Sequence, residues 1–378
     1  MKDLNILPGG ENGLVLEKPF IIAGPCSAES EEQVMNCARD LAKSGKVNAY
    51  RAGIWKPRTR PGSYEGIGNE GLKWLRQVKQ ETGLKTATEV ATAKHVYEAL
   101  KYGIDIMWIG ARTSGNPFSM QELADAISGV DVTVFIKNPV NPDIELWQGA
   151  YERIQKAGIQ NIGLIHRGFT SYEKLRYKNQ PLWQLPIEMK RRLPDIPMIC
   201  DPSHISGTRE YLLEIAQKAL DLDYDGLMIE VHPTPDLALS DAKQQITPAQ
   251  LVDLLAQLIY RDENSTDVNF IHILEELRAK VDNYDESLIE LLGQRMAIAK
   301  EIGRYKKENN ITILQRNRWE EIINKAEQKA AQFSLSKEFI DIVFNAIHIE
   351  SINNQNAIMN SLKQEDGSDK NQLQRTIF

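Results

Sequence analysis

Between residues 20 and 260 the chain alternates short apolar runs with longer amphipathic stretches. The pattern predicts strands at 20–23, 47–51, 85–88, 105–109, 132–137, 161–166, 198–201 and 226–230. Several are continuous apolar runs, as expected of parallel strands covered on both faces. Helices are predicted between them at 31–43, 70–81, 91–100, 144–157, 209–220 and 248–258. Eight such repeats in about 240 residues is the size of a (β/α)8 TIM barrel. A doubly wound open sheet repeats in the same way, so the count alone does not decide.

The polar residues tip the balance. Cys26, Arg51, Lys56, Arg112, Lys137, Arg167, His204 and Glu230 all fall at or just past the C-terminal end of a predicted strand. In an α/β barrel those ends build one face, the active-site face.

The texture changes at the polar run Arg261-Asp262-Glu263-Asn264-Ser265-Thr266-Asp267, which reads as a linker over 261–268 after a barrel domain of 1–260. Beyond it Leu274, Leu277, Val281, Leu288, Leu291, Leu292, Ile298 and Ile302 recur at helical spacing. No proline occurs from Asn269 to Glu308, which predicts one helix of roughly 40 residues, about 60 Å long. A helix of that length needs a covering surface, so a homodimer through this domain is expected. Further helices are predicted at 315–332 and 337–362, completing an all-α domain over 269–362; the polar tail 363–378 reads as disordered.

Composition narrows the classes. A formal net charge of -7 argues against non-specific binding to nucleic acid or to a membrane surface. There is no apolar run long enough for a membrane span and no apolar signal core behind Met1-Lys2-Asp3-Leu4. The three cysteines, Cys26, Cys37 and Cys200, give no paired framework, which fits a reducing cytoplasm.

Four short stretches end in metal-ligand residues: Gly24-Pro25-Cys26, Asp201-Pro202-Ser203-His204, Glu230-Val231-His232-Pro233 and Leu239-Ser240-Asp241. Taken singly, Cys26 reads as a small buried hydrophobe, His204 as a structural histidine, and Glu230 or Asp241 as a cap or ion pair. Together they offer one sulfur, one nitrogen and two carboxylates, a set suited to a divalent ion such as manganese, iron, zinc or cobalt. Arg51, Lys56, Arg58, Arg60, Arg112, Lys137 and Arg167 would bring positive charge to the same face of an acidic chain. Such a cleft suits a substrate bearing phosphates and carboxylates.

At this point the sequence resembles a family. Ala23-Gly24-Pro25-Cys26, Lys56-Pro57-Arg58-Thr59, Ile109-Gly110-Ala111-Arg112, Asp201-Pro202-Ser203-His204, Glu230-Val231-His232-Pro233 and Ala238-Leu239-Ser240-Asp241 resemble the motifs of the type I 3-deoxy-D-arabino-heptulosonate 7-phosphate (DAHP) synthases, in the short subgroup related to octulosonate-phosphate synthases. The resemblance implies condensation of phosphoenolpyruvate with erythrose 4-phosphate. It puts Cys26, His204, Glu230 and Asp241 on the metal. It puts Arg51, Lys56, Arg112, Lys137 and Arg167 on phosphoenolpyruvate, Arg58 and Thr59 on the aldose phosphate, and Asp201 near its hydroxyls. Lys56 is the candidate proton donor to the aldehyde oxygen, Glu89 is placed near the attacking water, and His232 stands behind the ligands. Two positions depart from the family pattern: Arg60 stands where a small residue is common, and His166 where Glu is frequent. Both are expected to alter substrate contacts or metal preference. The arm before Phe20 is short, leaving no room for the family's extra N-terminal regulatory domain.

The helical domain resembles the all-helical chorismate mutases through Leu277-Arg278-Ala279-Lys280-Val281-Asp282, Gln294-Arg295, Gly303-Arg304-Tyr305-Lys306, Arg318 and the Ser351/Gln355 pair. That resemblance implies rearrangement of chorismate to prephenate, with Arg278 and Arg295 on the carboxylates, Lys306 and Gln355 on the ether oxygen, and Arg318 and Ser351 assisting. Arg295 and Lys306 are eleven residues apart and share a helix face, whereas Arg278 is seventeen before Arg295 and about 100° round. On the family pattern Arg278 serves the other subunit's pocket. Trp319 follows Arg318 where the family often has a Glu for the substrate hydroxyl, with Glu320 one residue later, and Gln315 stands where an Asp is frequent. Mutase activity is therefore expected to be weakened. The expected whole is a fused synthase–mutase in which prephenate acts as effector. Two rivals are a helical domain that only senses ligand and dimerises, and a barrel that is an octulosonate-phosphate synthase.

Overall fold

Eight parallel strands close on themselves. In the computed structural model, which describes residues 6–7, 14–56, 62, 64–172, 175–261 and 265–360, β3 (Phe20–Gly24), β4 (Ala49–Arg51), β5 (Lys85–Val90), β6 (Ile106–Ile109), β7 (Thr133–Lys137), β8 (Ile162–His166), β9 (Met198–Cys200) and β10 (Gly226–Glu230) pair in chain order, and β10 pairs back onto β3. The open-sheet alternative is thereby excluded. A two-stranded hairpin, β1 (Ile6–Leu7) with β2 (Val15–Leu16), precedes the barrel.

Alternation along each strand sorts its side chains into two layers. Phe20, Ile22, Ala49, Ala87, Ile106, Phe135, Ile165, Ile199 and Met228 form one buried cluster with Trp108, filling the lumen, and Leu14 and Leu16 belong to it too. The hairpin region, which the hydrophobic pattern did not predict, thus contributes two leucines to the lumen. The outward-facing set, with Ile21, Tyr50, Met107, Val134, Leu164 and Leu227, packs against the helices.

Helices begin where polar side chains cap them. Ser30, Thr92, Asn116, Asp143 and Asp201 each accept a hydrogen bond from a first-turn N–H, and Thr247 forms a capping box with Gln250. These caps explain the shifted starts: the helix expected from 91 begins at Ala93, behind the Thr92 cap. The helix expected from 209 begins at Leu212, and Arg209 before it donates from its side chain to Gln245 O and Ala242 O.

The chain divides into two compact units, Met1–Glu263 and Asn264–Phe378. The second holds three helices, Val268–Glu308, Arg316–Ala331 and Lys337–Asn360. The first runs 41 residues, as its unbroken periodicity predicted, and packs against the third. Gly303 makes close packing possible, since a Cβ there would lie 3.2 Å from Gln355 Cα. The expected linker residues 262–264 and tail 363–378 lie outside the described residues. Among those described, no helix is long and apolar enough to cross a membrane.

One glycine fixes the mouth of the barrel. Gly24 has φ 146°, and a Cβ on it would lie 2.1 Å from Arg51 O. Gly24→Ala is expected to cost on the order of 3 kcal/mol, from backbone strain and overpacking together. A urea-unfolding midpoint unchanged from wild type would contradict this.

Candidate active site

The C-terminal ends of the strands gather the charged residues that the sequence singled out. Cys26 follows β3, Arg51 ends β4, Lys137 ends β7, Arg167 follows β8 and Glu230 ends β10. Arg112 and His204 sit in short helices just beyond β6 and β9, Ala111–Ser114 and Pro202–Ser206.

Three of the four expected ligands converge. Ligand atoms of Cys26, Glu230 and Asp241 all lie within 4.8 Å of one another, with Cys26 Sγ 3.4 Å from Asp241 Oδ2. His204 stands beside this set, its Nε2 3.8 Å from Glu230 Oε1. Its Nδ1 is 2.8 Å from Asp201 Oδ2 but out of line for a hydrogen bond. Burial lowers the His204 pKa against the pull of Asp201, keeping the imidazole neutral. Burial pushes the Cys26 thiol up to about 11, helped by Glu230 and opposed by Lys56. Burial would also raise Glu230 and Asp241, but Arg51 at Glu230 and Lys178 at Asp241 pull the other way, and both carboxyls are held below their ordinary range. A buried thiol, a neutral imidazole and two ionised carboxylates fit a borderline divalent cation.

Basic groups line the other side. Arg51 is 1% exposed, gives one N–H to Glu230 Oε1 at 3.2 Å, and keeps Nε and Nη1 buried without a partner. Its guanidinium lies 4.8 Å over the buried ring of Trp108, whose Nε1 donates to Glu89 Oε2 at 3.2 Å. Two orphaned donors on a buried cation call for an acceptor anion. Lys137 Nζ is 2.8 Å from Asp201 Oδ2. Arg167 is buried, its backbone N–H bonded to Asn138 Oδ1, and the charge of Arg112 is close enough to act on it. Lys56 Nζ reaches Cys26 O at 2.8 Å and Sγ at 3.2 Å. Burial would lower its pKa, but Cys26, Glu89 and Glu230 outweigh that and keep it an ammonium. Arg58, Thr59 and Arg60 lie outside the described residues.

The helical unit holds a cavity of about 400 Å³ lined by Arg295, Lys306, Gln315, Arg318, Trp319, His348, Ser351 and Gln355 among apolar residues. Arg295 Nη1 donates to Ser351 Oγ at 2.7 Å and Lys306 Nζ to Ile313 O at 2.5 Å. Gln355 Oε1 is buried without a partner. Arg278 is not among the lining residues; it is exposed and pairs with Glu275 at 2.9 Å. Glu320 is also absent from the lining, so it does not take the place of a carboxylate at 319.

The DAHP synthetase I family model matches residues 9–265. The chain belongs to the DAHP synthetase I family. The chorismate mutase type II model matches residues 277–356. A phospho-2-dehydro-3-deoxyheptonate aldolase of Thermotoga maritima is 34% identical over 226 residues, 60% of this chain and 64% of that protein, so the chain spans less than two thirds of its length. A 2-dehydro-3-deoxyphosphooctonate aldolase of Helicobacter pylori is 29% identical over 64% of this chain and 95% of its own. The crystal structure of the Thermotoga maritima DAHP synthase superposes with a TM-score of 0.56 at 31% identity, covering 63% of this chain and 68% of that one.

Several residues of this DAHP synthetase I site escaped the sequence reading. Trp108 looked like one more strand hydrophobe. Gln244 holds Glu230 Oε2 at 2.7 Å, and Lys178 holds Asp241 Oδ1 at 3.2 Å. Ser203 Oγ accepts from Glu230 N and Gln245 Oε1 from Cys26 N. Their types are ordinary, and only the fold puts them next to ligands. His232 meets Glu29 at 3.6 Å and accepts from Thr234 N. Glu89 lies inside β5 rather than beyond its expected end at 88.

His166 corrects an expectation. It was expected to alter substrate contacts or metal preference, but alternation turns it outward, away from Arg167. There Nε2 donates to Pro181 O at 2.7 Å and Nδ1 accepts from Tyr224 Oη at 3.0 Å. Burial pushes it down from 6.5 to about 3, opposed by the Pro181 bond and helped by Arg167. In the unfolded chain the ring takes its proton near 6.5, in the folded chain only near 3. Acid in that window therefore favours unfolding, and the contribution of this group is complete above it. His166→Gln is expected to flatten stability against pH across the window, measured as urea midpoints; an unchanged slope would reject the assignment.

Proposed function

We propose that this chain carries two activities on its two units. The barrel condenses phosphoenolpyruvate with erythrose 4-phosphate to DAHP and phosphate, and the helical unit rearranges chorismate to prephenate. For the barrel the carrying observation is Arg51, a buried cation with two free donors beside the Cys26–Glu230–Asp241 cluster. Arg51, Arg112, Lys137 and Arg167 bind the phosphate and carboxylate of phosphoenolpyruvate, and Asp201 faces the sugar hydroxyls. Arg58 and Thr59 take the aldose phosphate. Cys26, His204, Glu230 and Asp241 hold a divalent cation, which when bound polarises the aldehyde oxygen as a Lewis acid. Lys56 holds its proton at Nζ for delivery to that oxygen, and Glu89 orients the attacking water. Holding two anions in contact is the main task, and the cationic mouth performs it.

In the helical unit no proton moves. Arg295 grips a carboxylate, with Ser351 fixing its guanidinium, while Lys306 and Gln355 donate to the ether oxygen as charge develops there. Arg318 assists from the second helix. Arg278 serves the pocket of a second copy. Phe270, Ile273, Leu277, Val281, Tyr284, Leu288 and Leu291 run along the first helix, each 52% exposed or more. Their spacing of three and four residues is that of a helix seam, and a second copy of the same helix is the occupant it fits. Prephenate, formed in this pocket, restrains the barrel as effector.

A ligand-sensing role without catalysis is the second reading, favoured by Trp319 in the cavity lining. One assay series separates the readings. Both activities are measured on the same preparation, with and without a chelator and with added prephenate, using erythrose 4-phosphate and arabinose 5-phosphate in turn. Phosphate release with erythrose 4-phosphate is expected to be lost on chelation or in Cys26→Ala and lowered by prephenate, while chorismate consumption survives chelation. Faster release with arabinose 5-phosphate would make the barrel an octulosonate-phosphate synthase. Absence of chorismate turnover would leave the sensor. In a separate test, co-expressed Arg278→Ala and Lys306→Ala chains are expected to regain mutase activity in mixed dimers that neither homodimer has; equal loss in the mixture would refute the shared pocket.

A further inference from the structure

The helical pocket is rich in cations and has no Asp or Glu among its lining residues. Arg295, Lys306 and Arg318 answer carboxylates and an ether oxygen. None of them can accept a hydrogen bond from a hydroxyl. Chorismate carries a hydroxyl on its ring, and burying it without an acceptor is costly.

The acceptors among the lining residues can be compared. Ser351 Oγ already receives Arg295 and donates to Ile347 O at 2.8 Å. Gln355 gives its amide N–H to the ether oxygen on the reading above, which leaves its buried Oε1 as a further acceptor beside that oxygen. Gln315 is exposed just before the second helix, where its side chain makes no capping bond. His348 differs. It is half-buried on the third helix, opposite the second, and its ring lies flat on Trp319 with centroids 4.0 Å apart and planes 19° from parallel. That stack fixes the ring plane of a histidine that lines the cavity. Among the described residues neither nitrogen has a hydrogen-bond partner. Burial, with Arg295 and Lys306 adding to it, lowers its pKa and favours the neutral ring, which has one acceptor nitrogen.

We infer that His348, held flat by Trp319, recognises the ring hydroxyl of chorismate, so that an imidazole supplies the acceptor in a pocket lined by no carboxylate. On this view Trp319 is a positioning residue, and the exchange of a carboxylate for a stacked pair moves hydroxyl recognition from the second helix to the third. The inference rests on the mutase reading of this pocket.

The test uses the full chain with chorismate and with its analogue lacking the ring hydroxyl, reading kcat/KM and calorimetric Kd for both. Wild type is expected to prefer chorismate by about tenfold or more. His348→Leu is expected to lower kcat/KM for chorismate by about that factor and to leave the analogue within about twofold, erasing the preference. His348→Asn, which keeps a polar group near Nδ1, is expected to restore part of it. An equal fall for both ligands, an unchanged preference, or its loss in Gln315→Ala instead, each overturns the inference. If wild type binds both ligands without turnover, the mutase reading fails and the Kd ratio still decides the role of His348. If it binds neither, both fall.

Discussion

Glu230 and Arg51 form a buried ion pair at the mouth of the barrel, and the arrangement of the site follows from it. Neither side chain is more than 1% exposed. A buried carboxylate is tolerated only when its oxygens are bonded and its charge is offset. Arg51 takes one oxygen of Glu230 and Gln244 the other. Between the two residues lies β3, and Gly24, opposite Glu230 in the register, has no side chain to hold Arg51 away. The same constraint leaves the arginine incompletely bonded. Its two remaining donors, Nε and Nη1, are buried without an acceptor. On the proposed function, a structural ion pair and a recognition element are one object.

Much of this was legible in the sequence because barrel geometry is periodic. Continuous apolar runs announce parallel strands, and polar residues at their C-terminal ends announce the face. Cys26, Lys56, Lys137, Arg167, His204 and Glu230 were found that way. Long-range pairing was not legible. Trp108 supports Arg51 from β6, two strands round the barrel from β4, and nothing local marks it. His166 shows the opposite error: a polar residue next to Arg167 looked functional, yet one step along a strand reverses the face. The N-terminal hairpin, with two residues in each strand, was too short for any periodicity to register.

The helical unit follows a different rule. Its buried residues are few, among them Ala299, Ile340, Ser351 and Gln355, while large apolar side chains stay exposed along its first helix. Helical spacing located the three helices and most of the cavity wall. It did not foresee that Trp319, flagged as a departure, would lie flat against His348, because that contact joins residues on two different helices.

Leu14 and Leu16 are buried in the same cluster as the inward-facing residues of the strands. Each contributes ~2 kcal/mol by leaving water, but their larger effect is on the medium around them. A lumen packed with apolar side chains is a poor medium for water, and in a dry medium the field between Glu230 and Arg51 is weakly screened. The hairpin region thus adds two side chains to the apolar medium on which the strength of that ion pair depends.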